Sequence, residues 1–296
     1  NTMTEPISKP DPDFEFTAGE DDAGLRLDKV IAEMVDDLSR TRIQALIKDG
    51  QITVDNERSK SAYRLEGGET IAIFLPPPET SEVVPENIPL DVLYEDDDLI
   101  AINKPAGMVV HPSYGHDSGT LVNAVLHRWP ELRQVGDEYR AGIVHRLDKD
   151  TSGVIVVART PQAHRHIAAQ FADRTTHKTY LALVEGNPEN LTGRIEAPIG
   201  RDPRQRKRMA VVRNGREAIT EFTVKHYYAH QALLSITIHT GRTHQIRVHM
   251  AFIGHPVVGD RIYGYRKQRI KLKRNFLHAA ALTIQSPASG DPLTFN

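Results

Sequence analysis

Apolar positions along this chain of 296 residues follow two rhythms, and the switches between them outline its elements. Leu25, Leu27, Val30, Ile31 and Met34 recur at helical spacing. Ile43, Leu46 and Ile47 do so again after Ser39, a good N-cap, and Gly50 closes that second helix. Residues 51–55 and 69–75 read as strands. Ahead of them, residues 1–20 are polar, acidic and punctuated by Pro6, Pro10 and Pro12, the composition of a disordered tail. Residues 76–89 carry five prolines without apolar periodicity and read as a stiff linker. The expected organisation is an acidic tail (1–20), a small helix-and-strand module (21–75), a proline-rich linker (76–89) and a large body (90–296).

In the body, residues 99–102 make an apolar strand and 103–112 an extended run broken by a turn at Pro105-Ala106-Gly107. Residues 120–129 are a compact helix candidate. Two β-branched runs, Ile143-Val144 and residues 154–157, flank a polar centre and predict strand, turn, strand. Pro161 stands at a first helical position, with Ile167, Ala168 and Phe171 forming the apolar face of a helix over 161–174. Strands follow at 177–184, 217–225 and 232–239. Residues 243–251 are helix-compatible, with Arg247 on an edge that can face a cleft, and 277–284 returns to the core.

An apolar content of 39% at this length supports a real core in two domains. The chain has no cysteine, which excludes a disulfide framework and thiol chemistry, speaks against zinc, and fits a reducing cytoplasm. No apolar run approaches a membrane span, so a cytoplasmic location without membrane attachment is expected. Asn1-Thr2 ahead of Met3 reads as an appended pair, and the ending at Asn296 as one with tail residues beyond it. The net charge of −2 conceals a division. Residues 1–99 hold 9 Lys and Arg against 24 Asp and Glu, whereas the rest holds 28 against 15, together with all fourteen histidines. A basic body of this kind suits a polyanionic partner. His164 and His166 lie two apart, and His244 and His249 five apart, which is poor spacing for a shared metal. No phosphate-cradling glycine loop or internal repeat is present, so no nucleotide cofactor is implied.

Asp148 lies between Arg146 and Lys149 in the polar centre at 145–153. Cations on both sides favour its charged form, which suits a nucleophile or charge stabiliser better than a general acid. The commoner fate of an Asp in such a turn is to accept backbone hydrogen bonds beside residues like Thr151 and Ser152.

Resemblance decides between these readings. His145-Arg146-Leu147-Asp148-Lys149-Asp150-Thr151-Ser152-Gly153 closely resembles the catalytic signature of the RluA family of RNA pseudouridine synthases, and residues 103–112 resemble that family's first motif. Residues 25–75 resemble the S4 RNA-binding module through Arg26-Leu27-Asp28-Lys29, Ser39-Arg40 and residues 46–52. Asp55-Asn56-Glu57 departs from the Asn-Gly turn common there. The resemblance implies an α+β fold, with a catalytic domain on a mixed, mainly antiparallel sheet and a small S4-like module ahead of it. It implies Asp148 as nucleophile or stabiliser, Arg247 pairing with it, and Tyr180 stacking on the uracil and accepting a sugar or base proton. Arg146 would fill the gap left by a flipped base, with His145 and Lys149 also meeting RNA. Arg40, Arg42 and Lys48 of the S4-like module, and Arg204, Arg206, Lys207 and Arg208 of a basic loop, are the expected phosphate contacts. The implied target is a uridine in a stem-loop of large-subunit (23S) ribosomal RNA, free or in a pre-ribosomal particle. The implied enzyme is a monomer without cofactor or metal.

Two other functions leave weaker traces. An RNA chaperone on the same fold would need no Asp148, Tyr180 or Arg247, and all three are present. A glycoside hydrolase needs two carboxylates flanking one bond, whereas Asp148 and Asp150 are near neighbours on one turn.

Overall fold

A computed structural model describes residues 12–35, 40–75, 83–112, 118–136, 140–202, 208–265 and 267–296. The chain divides into two compact units, residues 1–82 and 83–296. Among the described residues, no helix is long and apolar enough to cross a membrane.

The first unit contains β1 (Phe14–Thr17), α1 (Leu27–Met34), α2 (Arg40–Lys48), β2 (Ile52–Val54), β3 (Glu57–Arg58) and β4 (Thr70–Ile73). Its antiparallel sheet runs β1-β4-β2-β3. The apolar stripes of the two helices bury Leu27, Ile31, Ile43 and Leu46 with Ile52, Ile71 and Ile73 of the sheet. Asp55 and Asn56 both take positive φ, 49° and 65°, between β2 and β3, as a two-residue I′ hairpin requires. The departure from Asn-Gly thus changes the residues and keeps the turn, because Asp and Asn tolerate the left-handed region. The expectation of disorder across residues 1–20 is corrected at its far end, where Phe14 pairs with Ile73 and Phe16 with Ile71. Phe16, packed against the core of this unit, seats the edge strand in an otherwise polar run, while Phe14 stays exposed. Residues 1–11 and Ser39 lie outside the described residues.

The second unit begins earlier than expected. Val83 is buried in its core, and Asn123 holds the next residues, donating from Nδ2 to the Val84 carbonyl and accepting the Glu86 N–H. Residues 83–89 are therefore a strap on the body and not a linker; 76–82 lie outside the described residues. The elements are β5 (Asp91–Glu95), β6 (Leu99–Lys104), α3 (Leu121–Arg128), β7 (Ser152–Ala158), α4 (Pro161–Ala172), β8 (His177–Glu185), β9 (Thr192–Glu196), β10 (Ile199–Arg201), β11 (Met209–Val211), β12 (Ile219–Tyr227), β13 (Gln231–Ile238), α5 (Gln245–Phe252), β14 (Leu277–Gln285) and β15 (Pro292–Phe295). Thr120 caps α3, and Thr160 caps α4 ahead of Pro161.

One nine-stranded sheet organises this unit in the order β5-β6-β7-β14-β8-β13-β12-β9, with β15 on β14. Every pairing is antiparallel except β7 with β14, so the sheet is mixed and mainly antiparallel and the fold is α+β. A single cross-strand row, Gly153, Ala279, Tyr180 and Ile236, places Tyr180 two strands from the end of the signature. At roughly 4.8 Å per strand that is about 10 Å.

The predicted strand, turn, strand around Asp148 forms only on its later side. Ile143 makes one bridge to Val157, and residues 144–150 are irregular. Gly142 meets Ala158 so closely that a Cβ there would lie 2.0 Å from its carbonyl oxygen, so the chain touches β7 at one point and leaves. The segment around the basic loop is likewise a hairpin at its ends, with Arg201 opposite Met209.

Candidate active site

The loop carrying Asp148 is held by backbone, and the holder is a lysine. Lys104, at the end of β6, is completely buried. Its Nζ donates to the carbonyls of Pro105 and Met108 at 2.8 Å and to that of Lys149 at 3.3 Å. Gly107 N–H donates to the same Lys149 oxygen at 2.7 Å. The turn at 105–107 and the residue after Asp148 are thus tied through one carbonyl. Burial pulls the Lys104 pKa down to about 8, against the charges of Asp148 and Asp150. Downstream, Gly153 has φ +119°, and a Cβ there would lie 2.2 Å from the Ala279 oxygen. Only glycine lets β7 enter beside β14 at this point.

Arg247 meets Asp148 from α5. That helix is buried on every side from Gln245 to Met250, and Gln245 fastens its start to β12 through Ile219 O and Thr220 Oγ1. The Arg247 guanidinium grips Asp260 twice, Nε to Oδ2 at 2.6 Å and Nη2 to Oδ1 at 3.1 Å, and its Nη1 reaches Asp148 Oδ2 at 3.1 Å. Asp260 is wholly buried and also accepts the Ile262 and Tyr263 N–H groups. Burial alone would raise the Asp260 pKa, but Arg247 and these amides outweigh it and hold it down. Arg247, penalised by burial, is in turn raised by Asp260 and Asp148. Among the described residues, no hydrogen bond reaches Asp148 Oδ1. One carboxylate oxygen is fixed and the other is left for chemistry.

His244 stands beside this pair, Nε2 4.0 Å from Asp148 Oδ2 and Nδ1 2.8 Å from the Tyr263 hydroxyl, which accepts the Met209 N–H. Burial lowers the His244 pKa despite the pull of Asp148, so the ring is neutral. His249, by contrast, is an interior strut between Thr220 Oγ1 and the Ala197 carbonyl.

Asp148, Tyr180 and Arg247 line one cavity of about 520 Å3, a size within the roughly 300–1,000 Å3 of small-molecule sites. The three residues that the sequence singled out for chemistry do come together. Tyr180 is buried, and burial, then the Asp148 charge, push its pKa up, so the phenol is protonated. Asp148 is the only carboxylate among the described lining residues, against six cations: Arg146, Arg174, Lys178, Arg216, Arg242 and Arg247. Asp150 is not in the lining, so no carboxylate pair flanks the space. Arg242 is lowered by burial and by its neighbours Arg216 and Arg174, and Lys178 by burial and Arg174. The rim is self-repelling, as a polyanion site is before its ligand arrives. Sequence reasoning missed Arg174, Lys178, Arg216 and Arg242 as a group because they arrive from separate segments with no local spacing to mark them.

Of the expected RNA contacts, Arg146 lines the cavity and is exposed, and Lys149 is exposed with its carbonyl in use. His145 lines the cavity as well. Its Nε2 accepts the Val156 N–H at 2.9 Å, its ring stacks on Phe171, and burial pushes its pKa down to about 3, with Lys178 and His111 adding to the shift. The neutral ring therefore clamps the loop to β7 from within the lining of the cavity. Arg40 is partly diverted: its Nε is 3.0 Å from buried Asp28, which also binds Arg26 and Gln44. Burial would raise Asp28, but these three partners hold it well below the usual carboxylate range. Arg42 and Lys48 are exposed on α2. Arg208 lies 5.0 Å from the Tyr263 ring centre; Arg204, Arg206 and Lys207 lie outside the described residues.

Fold and site define a two-unit protein whose larger unit holds one braced carboxylate in a cavity lined by cations. Comparison with known proteins supplies the family. Residues 98–252 match the family described as RNA pseudouridylate synthase, and residues 25–71 the S4 domain. An uncharacterised RNA pseudouridine synthase of Aquifex aeolicus is 45% identical over 91% of this chain and 89% of its own. A protein of Nitrosomonas europaea named ribosomal large subunit pseudouridine synthase D is 45% identical over 95% of this chain and 83% of its own. Among solved structures, human RNA pseudouridylate synthase domain containing 1 superposes with a TM-score of 0.60 at 28% identity, covering 71% of this chain and 84% of that one. The chain belongs to the RNA pseudouridine synthase family, enzymes that isomerise uridine in RNA to pseudouridine.

Proposed function

We propose that this enzyme isomerises uridines in a stem-loop of large-subunit (23S) ribosomal RNA, with Asp148 as the nucleophile or charge stabiliser. The reaction breaks the bond from ribose C1′ to uracil N1, turns the base, and joins C1′ to C5; C5 loses a proton and N1 gains one. Atoms balance without an external reagent. The site has to supply a fixed carboxylate, a proton carrier and walls for the detached uracil. The observation that carries the reading is the Asp148 carboxylate, held by Arg247 at 3.1 Å on one oxygen and open on the other, in a hollow shared with Tyr180.

In this scheme Asp148 Oδ1 faces the sugar or base, and Arg247 keeps the carboxylate in place while Asp260 keeps Arg247 in place. Tyr180 walls the uracil. As a protonated phenol it works as a hydrogen-bond donor, and it accepts a sugar or base proton only by handing on its own. The target base must be extruded, at ~a few kcal/mol, and Arg146, flat and exposed at the mouth, takes the vacated place in the stack. The relatives named for the large ribosomal subunit support the choice of RNA. The proposal includes a monomer working in the cytoplasm on rRNA or a pre-ribosomal particle, which light scattering and fractionation test.

Asp148→Asn keeps the side chain's size and removes its charge. Purified variant should bind the RNA stem-loop as wild type does and form no pseudouridine, measured by tritium release from 5-tritiated uridine. Appreciable turnover ends the proposal for Asp148. Pseudouridine mapping of cellular rRNA with and without the gene tests the choice of substrate.

A further inference from the structure

A second cavity of about 530 Å3 lies away from the catalytic hollow, lined by Glu185, Asn187, His230, Tyr265, Lys267 and Arg269. Glu185 ends β8, five residues beyond Tyr180, a separation of roughly 17 Å at ~3.4 Å per residue. Glu185 is 5% exposed; Oε2 accepts Gln231 Nε2 at 3.2 Å, while Oε1 is buried with no hydrogen-bond partner. Its main chain is fixed, the N–H donating to Pro256 O and the carbonyl accepting from His255 Nδ1. A buried acceptor without a donor is unfavourable unless a donor arrives.

An independent feature leads from this cavity back to the active site. From 267 to 274, Lys267, Arg269, Lys271 and Lys273 are exposed, as is Ile270 among them, while Gln268, Leu272 and Arg274 are half-buried. Gln268 bonds the Gly259 N–H and Asp260 O. At the far end Arg274 donates to the carbonyl of Asp150, in the signature loop, and to those of Asn275 and Leu277. At the near end the Tyr265 hydroxyl donates to Gly254 O at 2.8 Å, holding a ring that is 53% exposed. Among the described residues, none of the four exposed cations has a carboxylate partner.

We infer that the second cavity binds another nucleotide of the same RNA, an amino-bearing base stacked on Tyr265 and bonded to Glu185, with Lys267, Arg269, Lys271 and Lys273 tracking the phosphates toward Asp148. Adenine, cytosine and guanine present N–H donors from an exocyclic amino group, which a carboxylate accepts; uracil flanks its single N–H with two carbonyls that repel one. A span of roughly 17 Å corresponds to about five stacked nucleotides at ~3.4 Å each. The inference rests on the substrate being RNA, and not on which RNA.

The test compares full-length wild type with Lys267→Gln/Arg269→Gln/Lys271→Gln/Lys273→Gln and with Tyr265→Ala, after thermal melts establish folding. A fluorescein-labelled RNA hairpin with single-stranded flanks reports affinity by anisotropy across a salt series. The quadruple variant should bind at least tenfold more weakly, with a salt slope shallower by about 0.7 per lost phosphate contact. Tyr265→Ala should weaken binding about fivefold or more, and kcat at saturating RNA should hold for both. Glu185→Gln should shift preference among flanking bases. Unchanged affinity and slope in the quadruple variant overturn the inference. So does a loss of kcat at constant KM, which would make the segment a brace for the signature loop. Anisotropy needs no turnover, so absence of pseudouridine in 23S RNA counts against the rRNA reading alone.

Discussion

Replacing Lys104 with methionine removes an ammonium and keeps most of the side chain's length. In the wild type that ammonium is fully buried on three carbonyls, and its pKa falls from 10.5 to about 8 through burial. The folded value lies below the unfolded one, so between about pH 8 and 10.5 the unfolded chain binds more protons and stability rises with pH. Below pH 8 the penalty for the buried charge is present in full, and above 10.5 it is gone. A difference of this size is worth about 3 kcal/mol. Methionine carries no such proton. The stability of wild type minus that of Lys104→Met should therefore be flat below pH 8 and grow by about 3 kcal/mol up to pH 10.5. Urea unfolding of both proteins across this range measures it, since other titrating groups cancel in the difference. Activity should move the other way: as Lys104 loses its proton, the hold on the Lys149 carbonyl weakens and kcat falls through pH 8. The variant should be about tenfold or more slower at neutral pH, as expected when a catalytic group is mispositioned by a distant change, with KM for RNA nearly unchanged and without that inflection. Parallel stability curves for the two proteins would refute the argument.

Asp260→Asn leaves Arg247 buried with one carboxylate in place of two, a loss of about 3–5 kcal/mol. At roughly 2–4 °C per kcal/mol for a unit of this size, calorimetry should show a large drop in Tm, and kcat should fall although Asp260 is not in the cavity lining. Tyr180→Phe keeps the wall and removes the hydroxyl; RNA affinity should stay near wild type while kcat drops about 100-fold or more if the phenol carries a proton. Gly153→Ala drives a Cβ to 2.2 Å from the Ala279 oxygen at φ +119°, so unfolding titrations should show a loss of about 2–5 kcal/mol from overpacking and backbone strain.

What the sequence disclosed depends on how local each signal is. Helices with a single apolar face, α1, α2 and α4, appear where periodicity puts them, because burial of one stripe is encoded within a dozen residues. The strand expected at Ile143-Val144 does not form, since its β-branched pair is consistent with a strand or with a single buried contact. Only the close approach at Gly142 decides between them. Asp148, Tyr180 and Arg247 were legible through motifs. Asp260 was not, because its importance lies in holding Arg247 from thirteen residues away. Lys104 was hidden in a different manner: a lysine in sequence predicts an exposed side chain, and nothing nearby announces the three carbonyls that receive it.

The cavity and its rim place opposite demands on the fold. Asp148 is braced by partners that satisfy one another, Arg247 by two carboxylates and Asp260 by a guanidinium and two amides. The rim does the reverse, with Arg242 lowered by burial, Arg216 and Arg174. Glu217 gives partial relief by pairing with Arg174 at 2.6 Å. A ligand that brings phosphates removes repulsion the free protein must carry, so part of its affinity comes from the strain of the empty site. Rigidity at the acid and tension at the rim then separate two tasks. In the proposed scheme the first fixes the Asp148 carboxylate through Oδ2 before RNA arrives, and the second makes binding depend on the polyanion while leaving that carboxylate in place.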